Sequence, residues 1–465
     1  MALIEELGLK TYPQFNTGKK VHHTGGAGSR VLSYTSSLPA MSPLVLLDLS
    51  LFIYRTNRLS ATVNIQDPSL TPNAVDLDGM TFHSWIRQNA WTQELKDVVD
   101  TGTRAVFGTE PAQMSLLYLL MYSAAAGGLE ALLESTPGAA QEFRVQGGTQ
   151  QLSECLAERV DWRNVRLGCA VKAIWQDPEW ARVQTSTGDF LSRAVIVSCP
   201  PHLAAQIQYV PPLPQRAFLT QHMPVGHMIK FIITYRSAFW KDKGFSGEIV
   251  TGASTGCPFC VTFDATTPSG NAALVGLIAG QQATYWTNKQ AAERRKAVVS
   301  SLVHYLGPEA DSFIHYEEKD WALEEYSGGC PVNIMSPGLL TYFHPSLRRP
   351  CGRIHWAGTE TATLWCGYMS GAVQSGQRAA MEVLCELSPS SLSAEEREEV
   401  RQSYEPKDPP QPATPAGNTP LRAWATAAAV LGLTAAAVVL FQRPGAVDKV
   451  KLHFTSVFSA LRVLA

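Results

Sequence analysis

Apolar residues along this chain fall into two rhythms. Continuous runs rich in β-branched residues, Arg193 to Cys199 (RAVIVSC) and Ile229 to Tyr235 (IKFIITY), predict strands buried on both faces. Arg353 to Trp356 (RIHW) predicts a shorter third strand. Helical spacing runs over Pro111 to Ala126, Ala291 to Leu306 and Gly371 to Leu384. Met1 to Lys10 (MALIEELGLK) predicts an amphipathic helix already under way, as if the chain begins inside a domain. Buried strands interleaved with helices predict an α/β fold in the broad sense, a mixed α+β architecture. Ser388 to Gln402 is acidic and polar, the pattern of a solvated helix.

The pattern then changes twice. Residues 386–420 are polar, and Glu405 to Pro420 (EPKDPPQPATPAGNTP) has the composition of an extended linker. Residues 421–442 hold an uncharged stretch, Ala423 to Phe441, flanked by Arg422 and Arg443. A helix over it would be roughly 28 Å long, near the hydrocarbon thickness of a bilayer. A buried core helix is the other reading, and the linker before it speaks against a core. Residues 443–465 place Val450, Phe454, Val457, Phe458 and Leu461 on one helical face with basic residues elsewhere, as an interfacial helix or a loose tail would.

With 465 residues, 45% hydrophobic and 17% charged, the chain can bury a large core. A formal net charge of −2 with no basic domain argues against a nucleic-acid surface. Nine scattered cysteines suit a reducing compartment rather than a disulfide scaffold, and no secretory signal is visible. Cys257 and Cys260 form a lone CxxC without a second pair, so they read as structural. His22 and His23 lack partners at ligand spacing and read as surface or capping residues.

Three segments carry chemistry. In Tyr326 to Asn333 (YSGGCPVN), two glycines and a proline set Cys330 on a tight bend outside any helix or central strand. Arg353 to Leu384 reads as a short strand, small residues, then a helix whose free N–H groups a phosphate-bearing cofactor could reach. Lys230 lies inside an apolar strand, where an ammonium is costly; an edge lysine facing solvent is the plainer reading, but the apolar run on both sides shifts the balance toward a lysine aimed into a site. Gly147 and Gly148 precede a further helix and carry little alone.

YSGGC followed by GRIHWAGTETATLWCGYMSGAVQSGQRAA closely resembles the flavin-binding segment of the monoamine oxidases, and the resemblance runs from LIEELGLKTY to Leu384. It implies residues 1–385 form an amine-oxidase-like domain, with a discontinuous FAD part at about 145–205 and 325–385 and a substrate part in the remainder. It implies FAD tethered through Cys330, with Lys230 reaching the ring through a water and Trp321 packed near it. Val171 would hold the adenine by its backbone, and Gly358, Thr359, Glu360 and Met369 fall in the flavin-holding run. Tyr368 would be one wall of an aromatic cage, with Gln141, Leu277 and Val261 lining the substrate cavity. The implied partners are a small-molecule amine, dioxygen and, through residues 421–442, the mitochondrial outer membrane; a homodimer is left open.

Two departures accompany the resemblance. Pro331 stands where the family carries the second cage tyrosine, and Glu134 stands near an apolar gate. The family's strand–GxGxxG–helix unit is missing: Thr24 to Val31 (TGGAGSRV) lacks the third glycine and reads as following no strand, so the chain is expected to start just downstream of that unit. The expected activity is FAD-dependent oxidation of amines to aldehyde, ammonia and hydrogen peroxide. The alternative is a membrane-anchored, catalytically inactive protein of the same fold, arising as a truncated isoform.

Overall fold

The computed structural model describes residues 1–26, 28–35, 41–133 and 138–402. The expected linker, membrane anchor and tail beyond Gln402, and Glu134, lie outside the described residues. Among the described residues, no helix is long and apolar enough to cross a membrane.

A seven-stranded sheet organises the larger part, in the order His315–Asp320, Met228–Tyr235, Ala272–Ala279, Val261–Asp264, Phe245–Thr251, Lys19–His23, Leu32–Tyr34. Every neighbour is antiparallel except Phe245–Thr251 with Lys19–His23. This corrects the expectation of two buried faces for Ile229 to Tyr235. Ile229, Phe231, Ile233 and Tyr235 are buried against Trp240 and the helix Ala291–Leu306, while Lys230 and Ile232 on the other face are exposed. An antiparallel sheet can leave one face open, and a period of two then puts Lys230 on that face.

The second sheet brings together segments far apart in sequence. Ile354–Trp356 runs parallel to Val195–Val197, with Trp356 buried. Val195–Val197 is likewise not closed on both sides: Ile196 is exposed. The helix Met369–Leu387 packs on this pair through Gly371, Ser375, Arg378, Ala379 and Glu382. Arg378 donates to the Trp356 carbonyl at 2.6 Å and to Thr361 Oγ1 at 3.0 Å, and Glu382 Oε2 pairs with His355 Nδ1 at 3.0 Å. Those partners compensate the charges buried there.

The helix Leu116–Ala126 packs against Pro43–Ser60, Ala74–Gly79 and Leu129–Leu133, apolar on all sides and buried almost throughout, as such a helix must be. Ser115 caps it by accepting from the Tyr118 N–H, and its hydroxyl donates to buried Asp78 at 2.6 Å. Of the other helical expectations, Ala291–Leu306 forms as read, whereas Pro111 opens a separate short turn before Leu116. Ala394–Gln402 is a solvated helix, and the N-terminal helix is only Ala2–Glu6 and buries nothing.

Two further readings change. Thr24 and the residues after it do follow a strand, Lys19–His23, but lead into its antiparallel neighbour Leu32–Tyr34 rather than a helix. His22 is not a surface residue: it is buried in that strand, its Nε2 bonds Thr24 Oγ1, and burial depresses its imidazole to about 4. His23 bonds the Tyr305 hydroxyl at 2.8 Å.

Candidate active site

Residues opposite one another in adjacent strands share a face. Lys230 lies opposite Leu277 on one side and Lys319 on the other, Leu277 lies opposite Val261, and Val261 opposite Val250. One transverse row of the sheet therefore presents Lys319, Lys230, Leu277, Val261 and Val250 on the open face. Against that row packs the Cys330 side chain, in an apolar cluster with Met228, Cys260, Val261, Leu277 and Ala279. Cys260 is one of the CxxC pair; its thiol donates to the Leu277 carbonyl at 3.4 Å, and burial pushes it up to about 12, which fits packing rather than ligation.

The bend that carries Cys330 is shaped by contact with the backbone of Gly226. Cys330 N–H donates to the Gly226 carbonyl at 2.8 Å, and Gly226 N–H donates to the Val332 carbonyl at 3.1 Å. Gly329 has φ of 146°, and a Cβ there would stand 2.5 Å from the Gly226 oxygen, so only glycine fits. Burial pushes the Cys330 thiol up to about 12, and the Lys230 ammonium draws it the other way. The thiol is therefore no activated nucleophile by itself. The Lys230 ammonium is in turn lowered, first by loss of water and then by the Arg144 guanidinium. Lys230 is thus open to the face yet partly stripped of solvent.

A second group lies at the start of the helix Met369–Leu387. Tyr368 is its N-cap residue and offers no side-chain cap, leaving the first N–H groups without a side-chain acceptor. The Tyr368 ring stands 6.0 Å from that of Tyr122 and 5.3 Å, edge-on, from Trp365. Burial pushes its phenol up to about 12, against a hydrogen bond with Tyr122. Thr359 Oγ1 donates to the Tyr368 carbonyl at 2.9 Å. Gly358 has φ of 93°, and a Cβ would come within 3.2 Å of the Ser198 carbonyl. Glu360 is buried and accepts the Asn333 N–H at 3.1 Å; burial raises its carboxyl. Met369 is exposed.

Asn333 joins the two groups, being three residues beyond Cys330 and bonded to Glu360. Trp321 follows the strand His315–Asp320, with the Lys319 ammonium 5.9 Å over its ring. Val171 is exposed at the start of the strand Val171–Gln176, and Gln141 is exposed in the turn before Phe143–Val145. No described hydrogen bond or ion pair joins either of these to the two groups, although Arg144, three residues after Gln141, is close enough to depress Lys230. Pro331 is exposed. Tyr122, Asn333 and His202 were not read from sequence; Tyr122 lies in a uniformly apolar helix, where a tyrosine gives no periodic signal.

These residues fit a flavin nucleotide. An uncapped helix start beside a glycine connection suits a phosphate-bearing chain. An apolar row with lysines at one end and the Cys330 sulfur packed against it suits the edge of a flat ring.

The family model for flavin containing amine oxidoreductases matches residues 1–384. A probable flavin-containing monoamine oxidase A of Dictyostelium discoideum is 36% identical over 394 residues, covering 84% of this chain and 85% of the relative. Human flavin-containing amine oxidase B is 33% identical over 389 residues, covering 83% and 74%. Among solved structures, cyclohexylamine oxidase from Brevibacterium oxydans superposes with a TM-score of 0.78 at 29% identity, covering 83% of this chain and 84% of that one. Wild-type putrescine oxidase bound to putrescine gives 0.78 at 26%, covering 83% and 85%.

Proposed function

The chain belongs to the flavin-containing amine oxidoreductases, and on that premise we propose that it oxidises small amines to imines, which hydrolyse to aldehyde and ammonia, with dioxygen reduced to hydrogen peroxide. A bound FAD supplies the two-electron acceptor between amine and dioxygen. The chain's part is to hold the cofactor, orient the amine and keep water out. In this reading Cys330 tethers the ring through its sulfur. Lys230, partly desolvated, is the cation beside it. Gly358, Thr359, Glu360 and the helix start at Met369 hold the cofactor, with Trp321 packing near the ring and Val171 carrying the adenine. Tyr368 walls the amine's approach, and Leu277, Val261 and Gln141 line the substrate cavity. With proline at 331, Tyr368 is the aromatic wall on this side.

The observation that carries the reading is the row Lys230–Leu277–Val261 closed by Cys330, four residues from four segments in one place. Relatives named for monoamines, cyclohexylamine and putrescine support primary alkyl amines as the substrate class. The FAD part is residues of about 145–205 and 325–385. Residues 421–442 anchor the protein, with the mitochondrial outer membrane as the site.

Hydrogen peroxide release from the purified chain tests the activity directly, with benzylamine, cyclohexylamine and putrescine as substrates. Peroxide and carbonyl product in equal amounts from at least one amine are expected, an aldehyde from benzylamine or putrescine and cyclohexanone from cyclohexylamine. Protein that carries flavin yet releases no peroxide with any of them would overturn the proposal.

A further inference from the structure

His202 lies on the short helix Pro201–Ala204, remote in sequence from the bend at Cys330, yet its ring touches both ends of it. Nε2 bonds the Ser327 carbonyl at 2.9 Å, three residues before the cysteine. Nδ1 bonds Asn333 Oδ1 at 2.9 Å, three residues after it. We propose that His202 is a positioning residue for Cys330, clamping residues 327 and 333 together and so fixing where the sulfur stands. Its importance for flavin attachment rests on the assignment of Cys330 as the tether.

The surrounding bonds give the clamp its direction. Asn333 Nδ2 donates to the Met223 carbonyl at 2.7 Å, which turns Oδ1 toward the imidazole. The Ser327 carbonyl can only accept. Both ring nitrogens therefore face oxygen acceptors. Beside the ring, the buried Glu360 carboxyl accepts the Asn333 N–H; burial raises it, and that bond and then His202 draw it down. On its other side the bend rests on residues 224–226: Ile334 N–H donates to the Pro224 carbonyl at 2.8 Å, and Cys330 N–H to Gly226. The bend is thus held by a backbone ladder on one side and, on the other, by the Glu360 carboxyl, by the Tyr118 hydroxyl, which donates to the Asn333 carbonyl at 3.0 Å, and by the His202 side chain. Gly328 makes room for that side chain, since a Cβ there would stand 2.7 Å from His202 Nε2.

The test is alkylation of the full, flavin-free chain by iodoacetamide, followed residue by residue through mass spectrometry of peptides. Loss of both bonds in His202→Ala is expected to speed modification of Cys330 by about tenfold or more. Cys257 and Cys366, which are buried in other clusters, should keep their wild-type rates. Gly328→Ala should reproduce the effect from the opposite side of the contact, and imidazole added to His202→Gly should restore the slow rate. An unchanged Cys330 rate, or equal acceleration at all three cysteines, would overturn the clamp. In flavin-loaded protein, His202→Ala should lower the fraction of flavin that resists acid precipitation while total bound flavin is kept. Wild-type protein without covalent flavin would remove the tether but leave the alkylation result to decide the clamp.

Discussion

Glu360 places a carboxyl where water is scarce, and its consequence for stability has a definite sign. Burial raises its pKa above the ordinary value of 4.5. The folded chain then holds a proton that the unfolded chain has released, so stability falls as pH rises from that value through the raised one. Glu360→Gln keeps an acceptor for Asn333 and removes the titration. Its melting temperature is expected to match wild type in acid, exceed it increasingly as pH rises above the ordinary carboxyl value, and level off above the raised one; a gap that does not change with pH would contradict this. At the same scale, Cys330 and Lys230 were legible because each breaks its local pattern, a thiol between glycines and proline, a cation in an apolar run. His202 was not legible: its partners are 125 and 131 positions away, and nothing in CPPHL marks a clamp.

The strand Met228–Tyr235 shows what element-level reading gains and misses. Its residue types announced a strand correctly. A run without alternation cannot say that one face is open, because isoleucine at 232 is as apolar as its buried neighbours. The faces can be separated by two truncations. Phe231→Ala, on the closed face, is expected to cost about 3–5 kcal/mol in urea unfolding, while Ile232→Ala on the open face should stay within about 0.5 kcal/mol. Similar costs for both would mean that the face carrying Lys230 is closed. The helix Met369–Leu387 was easier, since Gly371, Ser375, Ala379 and Glu382 recur at helical spacing on its buried face and its start follows Gly367.

Across the whole molecule, the pairing of segments around residues 195 and 355 and the meeting of Cys330 with the sheet row depend on long-range topology, which no local pattern encodes. The sequence resemblance anticipated both groups, and the structure brings their members close. A chain ended at Gln402 is expected to keep the fold and flavin content of the full chain but to pass from membrane pellet to supernatant after alkaline carbonate extraction. Retention in the pellet would contradict the anchor assigned to residues 421–442.

The role proposed for Cys330 depends on a carbon–sulfur link between residue 330 and the cofactor ring. The direct measurement is in-gel flavin fluorescence after full denaturation of the purified chain in detergent, alongside Cys330→Ala. A fluorescent band at the mass of the intact chain, absent from the variant, is the expected result. A dark wild-type band, or one equally bright in the variant, would contradict it.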